Sequence, residues 1–154
     1  MSTIDEALLA AARLEGDEDV LVLGGGMLAL SAQKRLRDGW VYVVRHEADE
    51  LEELLGEAHA VGATGIAYLV GEAPVLPLPD GAVAVALGRV PSEDGAPVFA
   101  AELARVLAAG GRVALAERGR SAGWAIAAAL ESVGFDEITL TDVAAEVVVT
   151  GTRE

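Results

Sequence analysis

Cysteine, histidine, lysine and aromatic residues are nearly missing from this sequence. Its 154 residues include no cysteine, two histidines and one lysine (Lys34), and only 4% are aromatic. Without cysteine there is no disulfide or iron–sulfur cluster, and two histidines offer little for an ordinary zinc site, so no metal is predicted. The core of a chain that is 53% hydrophobic must then consist of Ala, Val and Leu, which suits helices packed closely on a sheet.

Positive charge and long apolar runs are scarce as well. The sequence has 11 basic and 25 acidic residues, which gives a formal net charge of −14. Binding to nucleic acid or to an anionic membrane needs clustered cations, so neither partner is expected. No apolar run approaches the roughly 20 residues of a membrane span, and the acidic start "MSTIDEALLA" is unlike a secretory signal. We expect a soluble, cytoplasmic protein with a single domain over 1–154, in which a leading helix (1–16) precedes the core (17–154).

What the sequence does contain is a regular alternation of apolar runs and amphipathic segments. Continuous apolar runs of strand length, typical of strands buried on both faces, occupy 19–24, 40–45, 65–71, 82–90 and 112–118. Helical patterns cover 2–16, 27–39, 47–62, 98–111 and 121–135. Such alternation predicts an α/β fold whose parallel strands are joined by right-handed crossovers.

The end of the chain departs from this alternation. Two further strand-like pieces, 135–142 and 145–153, leave no room for a helix between them. Two strands joined so closely must be antiparallel. The sequence therefore predicts a seven-stranded, mostly parallel sheet with an antiparallel C-terminal strand.

Three segments resemble the class I S-adenosylmethionine-dependent methyltransferases, in their small-molecule, type 11-like branch. "VLVLGGG" (20–26) is similar to the first glycine motif of that family, "GEAPVLPLPDGAVAVAL" (71–87) to its loop and fourth strand, and "FAAELARVLAAGGRVALAE" (99–117) to the helix and fifth strand that follow. The resemblance implies a Rossmann-like, three-layer αβα sandwich. It also implies S-adenosylmethionine as cofactor, held by Gly24, Gly25, Gly26 and Glu72.

Four positions differ from what the resemblance implies. Val22 stands where the family has an acid before the glycine turn, and Leu28 where the turn has a further glycine. Arg45 replaces the acid that accepts hydrogen bonds from the ribose, and a guanidinium has donors only. Ala84 replaces an aspartate of the fourth strand. These changes predict weak or absent cofactor binding, unless a displaced acid such as Glu47 takes over the ribose contact.

The glycine turn also fits a second family of cofactors. "GGGMLA" (24–29) satisfies the dinucleotide pattern G-x-G-x-x-G/A, and Arg45 ends the second strand where an arginine can meet the 2′-phosphate of NADP. Glycine-rich turns after a strand are common, and the downstream half of the chain resembles the methyltransferases. NADP is therefore the alternative cofactor.

Four of the ten arginines follow predicted strands: Arg45, Arg89, Arg118 and Arg120. Because ligands of open α/β sheets bind beyond the carboxyl ends of the strands, this placement predicts a crevice suited to a small anionic ligand. The alternative is that these arginines pair with Glu47, Glu72 and Glu117 and fill the crevice. His46 is the candidate for proton transfer there, although a histidine after a strand is more often a surface residue, and no catalytic residue is assigned.

Three functions follow from these patterns. The first is a non-catalytic or partner-dependent subunit with a methyltransferase-like fold and an altered cofactor site. The second is an active small-molecule methyltransferase, and the third is a binder of NADP or another anionic nucleotide. The chain has few insertions with which to cover a substrate, so either a partner subunit covers the pocket or the pocket stays open. Trp40, Trp124 and the apolar "APVLPLP" (73–79) are the candidate contacts of a homodimer.

Overall fold

The computed structural model describes residues 2–24, 26–45, 56, 65–70, 75–90 and 95–154. The described residues form four helices and seven strands. The helices are α1 (Thr3–Ala12), α2 (Gly26–Lys34), α3 (Ala96–Val106) and α4 (Arg120–Ser132). The strands are β1 (Val20–Leu23), β2 (Val41–Arg45), β3 (Ile66–Val70), β4 (Val83–Arg89), β5 (Leu107–Arg118), β6 (Phe135–Val143) and β7 (Glu146–Arg153). The helix predicted over 47–62 lies outside the described residues, apart from Gly56.

All seven strands form one sheet in the order β3-β2-β1-β4-β5-β7-β6. The first five strands in this order pair in parallel, whereas β7 is antiparallel to both β5 and β6. The predicted α/β fold with an antiparallel C-terminal strand is therefore confirmed. The chain moves outward from β1 to β3 and then crosses to β4, so the connections diverge between β1 and β4. Such a switch point is where open α/β sheets form a ligand crevice.

Helices cover both faces of the sheet. On what we call the first face, α1 and α2 pack against one set of alternate strand residues, including Val20, Val22, Leu87, Ala116 and Val148. On the second face, α3 and α4 pack against the other set, including Leu21, Leu23, Ala86, Leu115 and Val149. Side chains of a strand point alternately to the two faces. The result is the three-layer αβα sandwich expected from the sequence.

The helix α2 ends earlier than predicted. Its pattern extends to Gly39, but the helix stops at Lys34. Beyond it, the N–H groups of Arg37 and Asp38 donate to the carbonyl of Gly16 at 2.7 and 3.1 Å. These bonds to the segment before β1 compete with further helical turns, because each N–H is already satisfied outside the helix.

The helix α3 and strand β5 also meet at a different place from the prediction of a helix to residue 111. The helix ends at Val106, and β5 begins at Leu107, whose side chain is fully buried. The carbonyl of Leu107 accepts a hydrogen bond from Arg153 of β7 at 2.7 Å. A Cβ at Gly111 would lie 2.8 Å from the carbonyl oxygen of Ala108, so the chain needs glycine where it passes this point.

Candidate functional site

Gly24 and Arg89 bring the glycine turn and the end of β4 together. Gly24 follows β1 with a φ of +118°, a conformation that glycine adopts without strain. A Cβ at this position would lie 3.8 Å from the backbone nitrogen of Arg89 and 4.0 Å from its Cβ. Two of the predicted site residues are thus neighbours at the switch point of the sheet.

Only part of the predicted site falls within the described residues. Gly26 opens α2, and Arg45 is the last residue of β2, which pairs with β1 on the side away from β4. Gly25 and Glu72 lie outside the described residues, as do His46 and Glu47. Their roles remain predictions from the sequence.

Gly88 sets how closely β1 and β4 approach just before the crevice. Its φ is +133°, and a Cβ there would lie 1.8 Å from the carbonyl oxygen of Leu23. No side chain fits in that space, so residue 88 has to be glycine for the two strands to keep this spacing. The sequence shows Gly88 at the end of a strand but gives no sign of this contact.

Val22 and Leu28 are core residues on either side of the glycine turn. Both belong to the apolar layer of the first face, and their exposed fractions are 0% and 1%. Val22 lies between Val43 of β2 and Leu87 of β4 in the sheet. Met27, which follows the turn with Leu28, is half exposed at 52%. Leu28 therefore packs into the core, while Met27 faces solvent.

Ala84 lies away from the crevice. It is the second residue of β4, and its N–H donates to the carbonyl of Asp19, which precedes β1, at 2.8 Å. Both residues are therefore at the amino end of the sheet. The interpretation of Ala84 as an altered position of the cofactor site is wrong, because ligands meet the opposite edge.

Arg89 pairs with Glu146, the first residue of β7. One terminal nitrogen of the guanidinium donates to each carboxylate oxygen, one of them at 3.2 Å. The hydrogen bonds that Arg89 donates to Glu146 raise the pKa of Arg89 further above its usual range; burial opposes this, and the charges of Glu146 and Asp5 add to it. Glu146 is a partner of Arg89 that the sequence did not predict; Glu72 lies outside the described residues, so its pairing with an arginine stays a prediction.

Arg118 stands directly opposite Glu146 in the antiparallel pairing of β5 with β7. Its side chain is exposed, and within the described residues it makes no ion pair with a carboxylate. Arg120 opens α4 and pairs with Asp142 of β6, both largely exposed. The hydrogen bonds that Arg120 donates to Asp142 raise the pKa of Arg120 above its usual range. Three of the four predicted arginines are thus placed at the carboxyl ends of β4 and β5.

Metal clusters and membrane-spanning helices are both missing from the described residues. These contain no group of three or more His, Asp or Glu residues arranged to hold a metal ion. Nor do they include a helix that is long and apolar enough to span a membrane.

Solved structures resemble the chain closely in backbone and weakly in sequence. A SAM-dependent methyltransferase from Aquifex aeolicus has a TM-score of 0.83 at 19% identity, over 97% of this chain and 89% of that one. A putative methyltransferase from Bacillus halodurans has a TM-score of 0.82 at 15% identity, over 99% of each chain. The cyclase SpnF has a TM-score of 0.82 at 16% identity, over 97% of this chain and 79% of that one.

Comparisons of sequence give no further relative. No family model matches the chain, and a search of curated proteins found no match. The strand order, the antiparallel β7 and these superpositions agree on the architecture. The chain therefore has the fold of the class I S-adenosylmethionine-dependent methyltransferases.

Proposed function

We propose that this chain is a methyltransferase-fold protein that binds S-adenosylmethionine weakly or not at all and acts as a non-catalytic or partner-dependent subunit. The observation that carries the proposal is the burial of Val22 and Leu28 at the glycine turn. Both positions contribute only hydrocarbon to the apolar layer of the first face. Neither supplies the polar group or the empty space that the resemblance implies there.

The backbone of the turn fits the cofactor better than its side chains do. Gly24 keeps the positive φ of a tight turn, so the backbone is free to approach a ligand. A carboxylate at position 22 would accept hydrogen bonds from the turn, but the hydrocarbon side chain of Val22 accepts none. The residues of the turn therefore do not fit the usual set of contacts to S-adenosylmethionine, and they support no step of methyl transfer.

The end of β2 supports the same proposal. Arg45 occupies the position from which the resemblance expects an acid to accept hydrogen bonds from both ribose hydroxyls. A guanidinium has donors only, so an arginine at this position offers the hydrogens of the ribose hydroxyls no acceptor. Two lost carboxylates on adjacent strands, β1 and β2, weaken the binding of the same ligand.

The fold alone does not show whether the chain catalyses methyl transfer, because one fold hosts many functions. The structural neighbours include two named as methyltransferases and one named as a cyclase. The residues of the crevice carry the proposal instead. If the proposal of a non-catalytic role fails, the function that replaces it is that of an active small-molecule methyltransferase.

Calorimetric titration with S-adenosylhomocysteine tests the proposal directly. We expect no binding in the micromolar range from the unmodified chain. Arg45→Glu should strengthen binding, because it restores an acceptor for the ribose hydroxyls. Arg35→Glu is the matched control, since Arg35 lies beyond the end of α2, is exposed and should leave binding unchanged. Micromolar binding by the unmodified chain would refute the proposal.

A subunit role also predicts assembly. Trp124 lies on α4 with 62% of its surface exposed, and Trp40 precedes β2 with 49% exposed. They lie near opposite edges of the sheet, because α4 starts at the carboxyl end of β5 whereas Trp40 stands at the amino end of β2. Light scattering after size exclusion should give a dimer that Trp124→Ser or Trp40→Ser weakens. A monomer would instead favour assembly with a different chain.

Binding of NADP is the second candidate. It is favoured by the position of Arg45, at the end of the strand next to β1 and its glycine turn, where a dinucleotide fold places the 2′-phosphate. A thermal-shift comparison of NADP with NAD tests it. Stabilisation by NADP alone, lost in Arg45→Gln, would support this candidate, whereas equal absence of an effect from both would remove it.

A further inference from the structure

Three side chains from three strands lie on the first face at the carboxyl edge of the sheet. Arg89 is two residues beyond Leu87 of β4, and Glu146 is two residues before Val148 of β7; both apolar residues lie in the layer of the first face. Arg118 is opposite Glu146 in the register of β5 and β7. Because side chains alternate along strands, all three project from the same face, which α1 also covers.

Arg89 has to cross β5 to reach its partner. β4 and β7 are separated by β5, and Arg89 pairs in register with Ala116 of that strand. The small side chain of Ala116 leaves room for the guanidinium to pass above it. The pair with Glu146 therefore holds the guanidinium of Arg89 over β5, the strand that ends in Arg118.

Among the described residues, the carboxylate that contacts Arg89 is that of Glu146, which also stands opposite Arg118. Both oxygens of Glu146 are engaged by the terminal nitrogens of Arg89, so the carboxylate opposite Arg118 is already committed. The side chain of Arg89 remains 41% exposed, while that of Glu146 is only 18% exposed. Asp5 of α1 acts on Arg89 by its charge, without a hydrogen bond to it.

We propose that Arg89 and Arg118 form a binding site for the phosphate or carboxylate group of a small ligand, which competes with Glu146 for the guanidinium of Arg89. Guanidinium groups bind such anions through charge-assisted, often paired hydrogen bonds. The backbone of Arg89 also borders Gly24, so the site lies at the same edge of the sheet as the glycine turn. In a chain with a net charge of −14, two neighbouring arginines at the crevice make this the place where a small anion is attracted.

The anion site goes beyond the proposed function and does not depend on it. It requires a small anion at the ends of β4 and β5, whereas the proposed function concerns S-adenosylmethionine at β1 and β2. Binding of S-adenosylhomocysteine would overturn the proposed function and leave the anion site untouched. Absence of anion binding would overturn the site alone.

The test is a titration of ¹⁵N-labelled protein with inorganic phosphate, and separately with acetate, followed by NMR of the arginine Nε–Hε signals. We expect both Arg89 and Arg118 to shift and saturate. A response to phosphate alone identifies a phosphate site, and a response to both identifies a general oxyanion site. No shift of either arginine with either anion would overturn the proposal.

Two variants distinguish binding at this site from nonspecific attraction of anions to positive charge. Arg118→Gln, at an exposed position that leaves the fold intact, should weaken phosphate binding about tenfold, the usual effect of losing a hydrogen bond to a charged group. Arg35→Gln makes the same charge change elsewhere and should have no effect. Equal weakening by both variants would contradict the proposal.

Glu146→Gln gives the sharper result. The change removes the charge that neutralises Arg89 and keeps the shape of the side chain, so phosphate should bind several-fold more tightly if Arg89 is part of the site. The double variant Glu146→Gln with Arg89→Gln should lose this gain. If Glu146→Gln weakens binding or leaves it unchanged while the protein stays folded, Arg89 does not contact the anion.

Discussion

Glu18 and Arg112 join the segment before β1 to β5. The two terminal nitrogens of Arg112 lie 2.7 and 2.9 Å from the two carboxylate oxygens of Glu18. The same guanidinium donates to the carbonyls of Ala12 and Arg13 at 2.7 and 2.6 Å. These carbonyls belong to the end of α1, where no further helical N–H is available to them. One arginine thus fixes the leading helix to the sheet.

Replacing Arg112 by methionine should destabilise the fold by about 3 kcal/mol, because it leaves the largely buried carboxylate of Glu18 and two helix carbonyls without their donor. Urea unfolding measures the change. Arg35→Met is the control, since Arg35 makes one long hydrogen bond to Ser31, and it should change stability by less than about 0.5 kcal/mol. Equal effects would mean that the contacts of Arg112 add nothing.

The stability of the protein should fall in acid partly through Glu18. Burial acts to raise the pKa of Glu18, but hydrogen bonds from Arg112 and from the N–H of Glu15, with the charge of Arg112, lower it below its usual value. A carboxylate with a lowered pKa in the folded state stabilises that state fully above its unfolded pKa of about 4.3. The contribution disappears as the pH falls through the folded pKa.

Urea unfolding at a series of acidic pH values tests this dependence on Glu18. Glu18→Gln should be less stable than the unmodified protein near neutral pH, and the difference should shrink as the pH falls. A difference that stays constant with pH would show that the charge of Glu18 does not contribute.

Gly88→Ala should destabilise the protein by about 4 kcal/mol or more. The new Cβ would overlap the carbonyl oxygen of Leu23 at 1.8 Å, and the φ of +133° disfavours any L side chain. Thermal unfolding is the measurement. Gly95→Ala is the matched control, because no atom lies within 4 Å of a Cβ there. A mild effect at Gly88 would mean that β1 and β4 separate easily.

Leu28 and Met27 provide a matched pair of truncations at the glycine turn. Leu28→Ala should cost about 2 to 4 kcal/mol, as for other leucines removed from a core. Met27→Ala should cost less than about 0.5 kcal/mol, because Met27 is half exposed. Chemical denaturation of both variants gives the comparison. A small loss at Leu28 would indicate that its side chain fills a ligand space instead of the core.

The architecture is predictable from the sequence because it depends on local patterns. The continuous apolar run of β1 and the helical spacing that follows it are visible without tertiary information. The ends of α2 and α3 are not, since they depend on bonds to distant residues: Gly16 accepts from Arg37, and Leu107 accepts from Arg153. The helical spacing of apolar residues is a local pattern, so it does not indicate which distant residues will form these hydrogen bonds.

The site is only partly predictable for the same reason. Arg89 follows a strand, so its place at the crevice is evident in the sequence. Its partner Glu146 lies 57 residues away and comes within reach because β7 inserts next to β5. The sequence predicts the hairpin of β6 and β7, but the position of β7 between β5 and β6 sets this contact. Ala84 shows the converse, since similarity along the sequence does not reveal which edge of the sheet it occupies.

The inner position of β7 has a consequence for the order of events during synthesis. β6 emerges from the ribosome before β7, yet the sheet order allows it to join only through β7. Until β7 arrives, β5 presents an unpaired apolar edge, including Val113 and Leu115, and such edges favour aggregation. A chain in which β7 has not yet paired therefore leaves this edge of β5 open until Glu146–Arg153 joins it.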